Sequence, residues 1–464
     1  MPERLSSLDA SFLYLESPTT AMHVGTVAVF EEPADGFDHD RLVQLIGERI
    51  AYVPRYRQRL RAIPGRIANP VWVDDESFDI SYHVRRSALP RPGGPHQLAE
   101  FVARVQSRRL DRTRPLWEAY LVEGLAGDRF AVVTKAHQAM VDGVAAVDIA
   151  QVIVDSSPRP SDAPPDTWRA APEPSWPELL AGAVADTVRR PGELVDTVRT
   201  GLGDLRSTAG RVAGGVLAVA RTTARSAPSS TLNGPVGEHR RYATVDTELD
   251  DFRAVHKVHG GSVNDVVLAT VAGALREFLL SRGEPLSRAA VVRALVPMSV
   301  QPEVGEDEPP AGVGARLLSV LVDLPVGEPS AVMRLHQTAY QTAAHADSGR
   351  AVRAETLAGV AGFAPPTLHS LGARLAGSLS QRMFNLTITN VPGPQETLYA
   401  DGARMVAVYP VTPLTKGQAL SVSTTSYDGG VYFGLNADRD LLPDLEVLAE
   451  LVPDALAELV ASVR

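Results

Sequence analysis

The residues best able to carry chemistry stand together in the segment His137-Gln138-Ala139-Met140-Val141-Asp142-Gly143. A histidine can exchange a proton near neutral pH, and a carboxylate beside it can orient the reacting groups. Taken alone, the segment is a weak signal, because an aspartate that caps the following helix explains Asp142 equally well. It marks a candidate site whose support has to come from the rest of the chain.

The flanking elements place this segment at the junction of a strand and a helix. Residues 129–135 (RFAVVTK) form a strand-like run that leads directly into His137. The small and apolar residues after Asp142 (GVAAVDIAQVIVD) are typical of a helix.

Composition excludes several classes of function. The 464 residues include no cysteine, so a thiol nucleophile, a disulfide framework and a cysteine-ligated zinc or iron–sulfur site are ruled out. The formal net charge of −10 argues against nucleic acid as the main partner, because such binding relies on a basic surface. Hydrophobic residues make up 44% and charged residues 22%, as in ordinary globular proteins.

Neither the apolar runs nor the N-terminal segment suggests an integral membrane protein. The apolar runs are well short of the roughly 20 residues that span a bilayer. The N-terminal segment carries Glu3, Asp9 and Glu16 and lacks the basic and apolar regions of a signal peptide. The predicted location is the cytoplasm.

Changes in composition divide the chain into three parts. Residues 1–155 alternate helical and strand signals and are predicted to form one lobe. Residues 156–239 begin with a stretch (156–177) that holds seven prolines, typical of an extended linker, and continue with apolar residues at helical spacing. Residues 240–464 are predicted to form a second lobe, so the fold class is α/β with two lobes of mixed sheet and helices.

The arginines between 189 and 225 leave two interpretations open. A basic amphipathic helix can lie in a membrane interface. Acidic residues also occur within this segment, and they favour a solvated face on helices that cross between the lobes.

The second lobe has clear local signals. Ser262-Val263-Asn264-Asp265 is a variant of the capping box and predicts the start of a helix. Strands are predicted at 317–325, 383–389 and 404–410, and Asp428-Gly429-Gly430 predicts a hairpin between two further strands.

Motifs throughout the chain resemble those of the bacterial wax ester synthase/diacylglycerol acyltransferases, relatives of chloramphenicol acetyltransferase and of peptide-synthetase condensation domains. The matching segments are LSSLDASFLYLESPTTAMHVG (5–25), Pro115-Leu116-Trp117, Leu232-Asn233-Gly234-Pro235, Arg240-Arg241, Asn264-Asp265, RALVPMS (293–299) and Asn390-Val391-Pro392-Gly393-Pro394. Because these motifs occur in the family's order, the chain is identified as a member.

The resemblance implies two chloramphenicol-acetyltransferase-like lobes with a substrate channel between them. It implies acyl transfer from long-chain acyl-CoA to diacylglycerol, giving triacylglycerol, or to a long-chain alcohol, giving wax ester. Neither a metal nor a bound cofactor is expected, and acyl-CoA is a substrate. The implied partners are therefore acyl-CoA and a lipid acceptor.

The chain departs from the family at the residue expected to act as catalytic base. The family signature is HHxxxDG; His137, Asp142 and Gly143 match it, and Gln138 takes the place of the second histidine. A glutamine amide can hold a hydroxyl but has no proton to exchange near pH 7. Adjacent side chains on an extended segment point to opposite sides. His137 is therefore predicted to brace the loop, and it could replace the base only after a local twist or with a substrate that approaches from the other face.

The remaining candidate residues come from several separate motifs, and some of them have two interpretations. Ala315 stands where the family has an asparagine, a second loss in the proposed site. Trp117 is a core anchor or a substrate contact, and Asn264 and Asp265 cap a helix or face the thioester. Asn390 and Pro392, in the rigid Asn-Val-Pro-Gly-Pro turn, border the acyl tunnel in the family.

Two functions from different classes follow from these departures. The chain is an acyltransferase with slow or specialised turnover, or a catalytically silent homologue that binds acyl-CoA or lipid. The sequence leaves open whether the glutamine at position 138 is natural or introduced.

Overall fold

A computed structural model describes residues 2–64, 68–141, 149–159, 166–189, 226–300, 316–348, 352–353 and 383–463 of the chain. The candidate residues Asp142, Gly143 and Ala315 lie outside these ranges, as do residues 190–225, which hold most of the helical stretch predicted after the proline-rich segment.

The described strands run in the following order: β1 (His23–Glu31), β2 (Gln58–Arg61), β3 (Val71–Asp74), β4 (Val84–Ala88), β5 (Trp117–Leu125), β6 (Arg129–His137), β7 (Arg240–Glu248), β8 (Val292–Val300), β9 (Arg316–Leu324), β10 (Val352–Arg353), β11 (Leu386–Val391), β12 (Tyr399–Ala400), β13 (Ala403–Val411), β14 (Leu420–Tyr427) and β15 (Gly430–Asp438).

The described helices are α1 (Ser7–Leu15), α2 (His39–Arg49), α3 (Ile80–His83), α4 (Pro95–Gln106), α5 (Gln138–Val141), α6 (Ile149–Val152), α7 (Trp176–Arg189), α8 (Leu249–His259), α9 (Val263–Ser281), α10 (Ala331–Ser348) and α11 (Leu445–Ala461). Within the described ranges, none of these helices has the length and apolar composition that crossing a membrane requires.

The first sheet has the strand order β12-β13-β1-β6-β5-β4 and is covered on both faces. Along β6 every residue after Arg129 is buried, and alternate side chains enter different clusters. Phe130 packs in a cluster with Trp117 and helix α2, whereas Val133 packs in a second cluster with Phe101 of α4. This alternation follows from the two-residue period of a strand, and it explains why the strand is a continuous apolar run in sequence.

The second sheet has the order β10-β9-β8-β11-β14-β15-β7, and helices α8, α9 and α11 share its core. Strand β11 is parallel to both β8 and β14, and the other pairs are antiparallel. The predicted hairpin is confirmed: β14 and β15 pair around Asp428 and Gly429, whose φ angles are 44° and 84°. The predicted two-lobed α/β fold is therefore present.

One strand from the second half of the chain crosses into the first sheet. Strand β13 pairs antiparallel with β1, although the sequence assigned residues 240–464 to the second lobe alone. Where β13 passes β15, a Cβ atom on Gly434 would lie 2.0 Å from the carbonyl oxygen of Pro410. Tyr242 and Ser423 each donate a hydroxyl hydrogen bond to that same oxygen, over 3.0 and 2.8 Å. The crossing strand thus ties the two sheets together.

The proline-rich segment is fixed to the first lobe by ion pairs. The guanidinium of Arg57 binds the carboxylate of Asp166, and Arg59 binds Glu173 over 2.7 Å. Helix α7 follows, and its Leu179 is buried beside Ile63 of the first lobe. The described part of the predicted linker therefore lies against the first lobe.

Candidate functional site

The candidate motif begins where β6 ends. His137 has no exposed surface, and its backbone N–H donates to the carbonyl oxygen of Leu116 over 2.9 Å. The backbone N–H of Gln138 donates to the carbonyl oxygen of Met22, also over 2.9 Å, and α5 starts at this residue. The predicted strand-to-helix junction is thus confirmed, and both neighbouring strands hold it in place.

The hydrogen bonds of His137 decide which of its ring nitrogens carries a proton. The backbone N–H of Ala139 donates to Nδ1 over 3.0 Å, so the neutral ring carries its proton on Nε2. Burial lowers the pKa of His137 to about 3, so the ring is neutral at pH 7. Nε2 has no hydrogen-bond partner among the described residues and faces Oε2 of Glu16 at 4.0 Å. Neither nitrogen therefore offers a free lone pair.

Glu16 connects His137 to a second buried histidine. Oε1 of Glu16 lies 3.3 Å from Nε2 of His23, and Nε of Arg112 donates to Oε2 over 2.9 Å. Burial of the Glu16 carboxyl acts to raise its pKa, but the contact with His23 and the charge of Arg112 hold the pKa at about 2. Burial lowers the pKa of His23 to about 4. At neutral pH the cluster contains one carboxylate, one guanidinium and two neutral imidazoles.

Sequence reasoning did not single out Glu16 and His23 as functional residues. Both lie in the N-terminal segment 5–25, which supported the family resemblance and argued against a signal peptide. His23 pairs directly with His137 across β1 and β6, and their ring centroids are 6.0 Å apart. The sequence offered one signal, which was the presence of Glu16 and His23 in a motif that the family shares. It could not show that they contact His137, because that contact depends on the register between β1 and β6.

Gln138 differs from His137 in its surroundings. Its side chain is half-buried, and its amide makes no hydrogen bond to any residue within the described ranges. A glutamine amide carries two N–H donors and one carbonyl acceptor, which can hydrogen-bond a hydroxyl group.

Two other candidate residues, far apart in sequence, meet in the second lobe. Nδ2 of Asn390, near the end of β11, donates to Oδ1 of Asn264 in the first turn of α9 over 3.0 Å. Val391 and Pro392, which follow, are exposed, with 63% of the Val391 surface open to solvent. The structure thus brings the Asn-Asp motif and the Asn-Val-Pro-Gly-Pro turn into direct contact.

Asp265 caps helix α9, the first of its two predicted roles. Its carboxylate accepts hydrogen bonds from the backbone N–H and the hydroxyl of Ser262 and from the hydroxyl of Thr342, over 2.7, 2.8 and 2.6 Å. The reciprocal bond from Asp265 N–H to the Ser262 hydroxyl completes the predicted capping box.

Trp117 lies in the core of the first lobe, as one of its two interpretations predicted. It has no exposed surface, its indole N–H donates to the carbonyl oxygen of Tyr56 over 2.7 Å, and its ring stacks on His83 with centroids 4.7 Å apart. A ligand could reach this ring only by displacing the core.

Among the described residues, no group of three or more histidine, aspartate or glutamate side chains is placed to hold a metal ion. The arrangement around His137 consists of two buried imidazoles and the Glu16 carboxylate, and the half-buried Gln138 follows directly in the chain.

Comparison with known proteins assigns the family. The model of the wax ester synthase/diacylglycerol acyltransferase catalytic domain matches residues 5–267, and that of the family's C-terminal domain matches residues 313–460. The chain belongs to the wax ester synthase/diacylglycerol acyltransferase family. It is thus an O-acyltransferase by family, as its motifs predicted.

Relatives within the family match most of the chain. A Mycobacterium tuberculosis H37Rv protein named "Probable diacyglycerol O-acyltransferase tgs1" is 34% identical over 98% of this chain and 96% of its own length. Another from the same organism, tgs3, with the same description, is 44% identical over 259 residues, covering 55% of this chain and 96% of its own. The wax ester synthase/diacylglycerol acyltransferase of Marinobacter aquaeolei VT8 has a similar structure, with a TM-score of 0.70, 29% identity and 99% coverage of both chains.

Structures outside the family share the fold alone. The first condensation domain of the calcium-dependent antibiotic synthetase has a TM-score of 0.59 at 17% identity, with 99% of this chain and 97% of that chain covered. The two-lobed architecture of the wax ester synthase/diacylglycerol acyltransferase family is therefore shared with condensation domains.

Proposed function

We propose that this chain transfers an acyl group from long-chain acyl-CoA to diacylglycerol and that Gln138 holds the acceptor hydroxyl without deprotonating it. Family membership and the full-length mycobacterial relatives support acyl transfer to diacylglycerol. A long-chain alcohol is a second acceptor, favoured by the wax ester synthase of similar structure.

The observation that carries the proposal for Gln138 is the hydrogen bond from Ala139 N–H to Nδ1 of His137. This bond occupies the imidazole lone pair, and the other nitrogen carries its proton toward Glu16. His137 is thus proposed to brace the loop and not to replace the missing base. The loss of a positioned base typically slows proton transfer by about 10²–10⁴-fold.

In the proposed reaction the acceptor oxygen attacks the thioester carbonyl carbon. The ester C–O bond forms, the C–S bond to CoA breaks, and the hydroxyl proton ends on the departing sulfur or in water. The Gln138 amide orients the hydroxyl through its carbonyl oxygen and N–H groups. Orientation keeps part of the rate enhancement even where proton transfer is unassisted.

We further propose that the transfer is direct and needs neither a metal nor a bound cofactor. Activity is therefore expected to survive dialysis against EDTA. Because diacylglycerol and fatty alcohols partition into lipid, we propose that the protein works in peripheral contact with a membrane or lipid droplet. Flotation with diacylglycerol-containing vesicles tests that contact.

The decisive experiment measures thiol release from long-chain acyl-CoA with diacylglycerol and, separately, with hexadecanol. The parent chain is compared with Gln138→His, and an increase of about a hundredfold or more is expected if only the base is missing. The matched control is His137→Gln, which alters the bracing residue and is expected to give no such gain.

Two other outcomes would contradict parts of the proposal. If both forms bind acyl-CoA but neither releases thiol, the chain is a catalytically silent homologue that binds acyl-CoA or lipid. If the parent already turns over as fast as Gln138→His, the proposed role of Gln138 is wrong.

A further inference from the structure

A groove of about 650 Å³ lies where helix α4 of the first lobe meets strand β7 of the second. Its walls include His96 and Arg104 of α4, Arg108 just after the helix, and residues 238–242 at the start of β7. This volume lies within the range of sites for small molecules and cofactors. The candidate site residues His137 and Gln138 are not part of its lining.

The groove is basic although the chain as a whole is acidic. Five arginines line it against three glutamates, whereas the whole sequence has a formal net charge of −10. The arginines are Arg104, Arg108, Arg240, Arg241 and Arg439. A concave basic surface of this kind concentrates anions by its electrostatic potential.

Three of these arginines are already engaged. Arg241 binds the carboxylate of Glu446 with Nε 2.9 Å from both oxygens, and Arg439 lies 3.4 Å from Asp440. Arg240 is buried, and its guanidinium donates to the carbonyl oxygens of Gly237 and His239 over 2.8 and 3.1 Å.

The other two arginines are available. Arg104 and Arg108 are exposed, and neither has a carboxylate partner among the described residues. The Arg104 guanidinium lies over the Phe101 ring, 5.8 Å from its centroid, which limits where the charge can point. Arg108 lies two residues beyond the end of α4, after the capping residue Ser107, and both arginines line the groove.

The floor of the groove is connected to the buried cluster around His137. The guanidinium of Arg240 donates to the carbonyl oxygen of Thr19, and its backbone N–H donates to the Ser107 hydroxyl over 3.1 Å. Thr19 lies in the loop between Glu16 and His23, the two residues that contact His137. The groove is thus fixed to both lobes on the side of this loop.

We infer that this groove binds the phosphate-bearing nucleotide of acyl-CoA through Arg104 and Arg108, an inference that rests on the proposed function. The nucleotide carries several phosphate charges, which guanidinium groups bind through charge-assisted hydrogen bonds. Glu100 and Glu238, also in the lining, can accept hydrogen bonds from ribose hydroxyls or the adenine amino group. This mixed lining favours a nucleotide over inorganic phosphate.

The first test measures binding of adenosine 3′,5′-bisphosphate to the full chain by calorimetry, with inorganic phosphate as a second probe. Arg104→Gln/Arg108→Gln is expected to weaken nucleotide binding by about tenfold or more, since charged hydrogen bonds are lost. Arg129→Gln is the matched control, because Arg129 is exposed at the far end of β6 and outside the groove. Thermal unfolding of each variant verifies that it is folded.

The second test uses thiol release from acyl-CoA and from acyl-pantetheine, which lacks the nucleotide. The double variant is expected to raise KM for acyl-CoA by about tenfold with kcat retained, and to leave KM for acyl-pantetheine unchanged. If no form turns over but nucleotide binding still depends on the two arginines, the proposed function fails and the groove assignment stands.

Three results would overturn the inference. The first is that the parent chain fails to bind the bisphosphate, and the second is that it binds inorganic phosphate equally well. The third is that the double variant binds the nucleotide as tightly as the parent. A variant that loses binding only to anionic vesicles would instead assign the groove to lipid headgroups.

Discussion

The side-chain amide of Asn390 donates a hydrogen bond over 3.0 Å to the amide oxygen of Asn264, which lies 126 residues earlier in the chain. Both groups are partly buried, and the bond fixes the end of β11 against the first turn of α9. Asn264 and Asn390 were separate candidates in the sequence, and in the fold their side chains are joined by this hydrogen bond.

The bond between these asparagines predicts non-additive mutations. Asn264→Ala and Asn390→Ala are each expected to lower the free energy of unfolding, because each leaves a partly buried amide unpaired. In a double-mutant cycle measured by urea denaturation, the coupling energy should be about 0.5–1.5 kcal/mol. Simple additivity of the two losses would show that the bond does not form in solution.

Stability should depend on pH through the buried histidines. Burial lowers the pKa of His23 to about 4 and that of His137 to about 3, from an ordinary value of 6.5. At a pH between the ordinary pKa of 6.5 and these lowered values, the histidines of the unfolded chain bind protons that those of the folded chain do not. The free energy of unfolding should therefore fall as pH drops from about 6.5 toward 3. Glu16, whose pKa is held at about 2 against an ordinary 4.5, adds a further loss below pH 4.5.

This pH dependence is measured by urea denaturation at about pH 7 and about pH 5. His23→Asn removes one of the buried imidazoles whose pKa is lowered, a group that also includes His83, so the difference in stability between the two pH values should shrink. An exposed histidine supplies the control: His96→Asn should leave the difference unchanged. An undiminished difference in His23→Asn would show that His23 is not buried in its neutral form.

Trp117 is expected to support the fold and not the substrate. Trp117→Phe loses the hydrogen bond to the Tyr56 carbonyl and part of the buried volume, and should cost about 1–3 kcal/mol of stability. The KM for acyl-CoA should stay unchanged in the folded variant. A raised KM at unchanged stability would restore Trp117 as a substrate contact.

The crossing of β13 depends on a glycine. Gly434→Ala would place a Cβ atom 2.0 Å from the Pro410 carbonyl oxygen, which is backbone and has little room to move. Chemical denaturation should show a loss of about 1–3 kcal/mol or more. The matched control is Gly182→Ala in α7, which meets no atom within 4 Å and should be neutral or stabilising by up to about 1 kcal/mol. Equal behaviour of the two variants would contradict the close packing of the two sheets.

Signals confined to a few residues predicted the local structure well. The Asp428-Gly429 turn requires two positive φ angles, which aspartate and glycine tolerate, so the hairpin follows from local sterics. The capping box of Ser262 and Asp265 similarly satisfies the free N–H groups at the start of α9. The run of apolar residues before His137 predicted β6, because a short apolar run is typical of a buried strand.

The choice of partner strands was not predictable from these signals. Strand β13 has the alternating pattern of any strand with one buried face, and that pattern is equally compatible with either sheet. Its assignment depends on the pairing with β1 and on the space beside Gly434. The division at residue 240 therefore missed the segment that joins the lobes.

The sequence by itself determined the family, the two-lobed fold and the glutamine at position 138, because each is a matter of residue identity and order. Only the tertiary structure decided that Glu16 faces His137 and that the lone pair of this histidine is already occupied. Only the tertiary structure showed that Asp265 also binds Thr342 and that Trp117 is buried in the core. The physical reason is that hydrogen-bond partners and burial depend on register and packing between segments far apart in the chain, which local residue patterns do not encode.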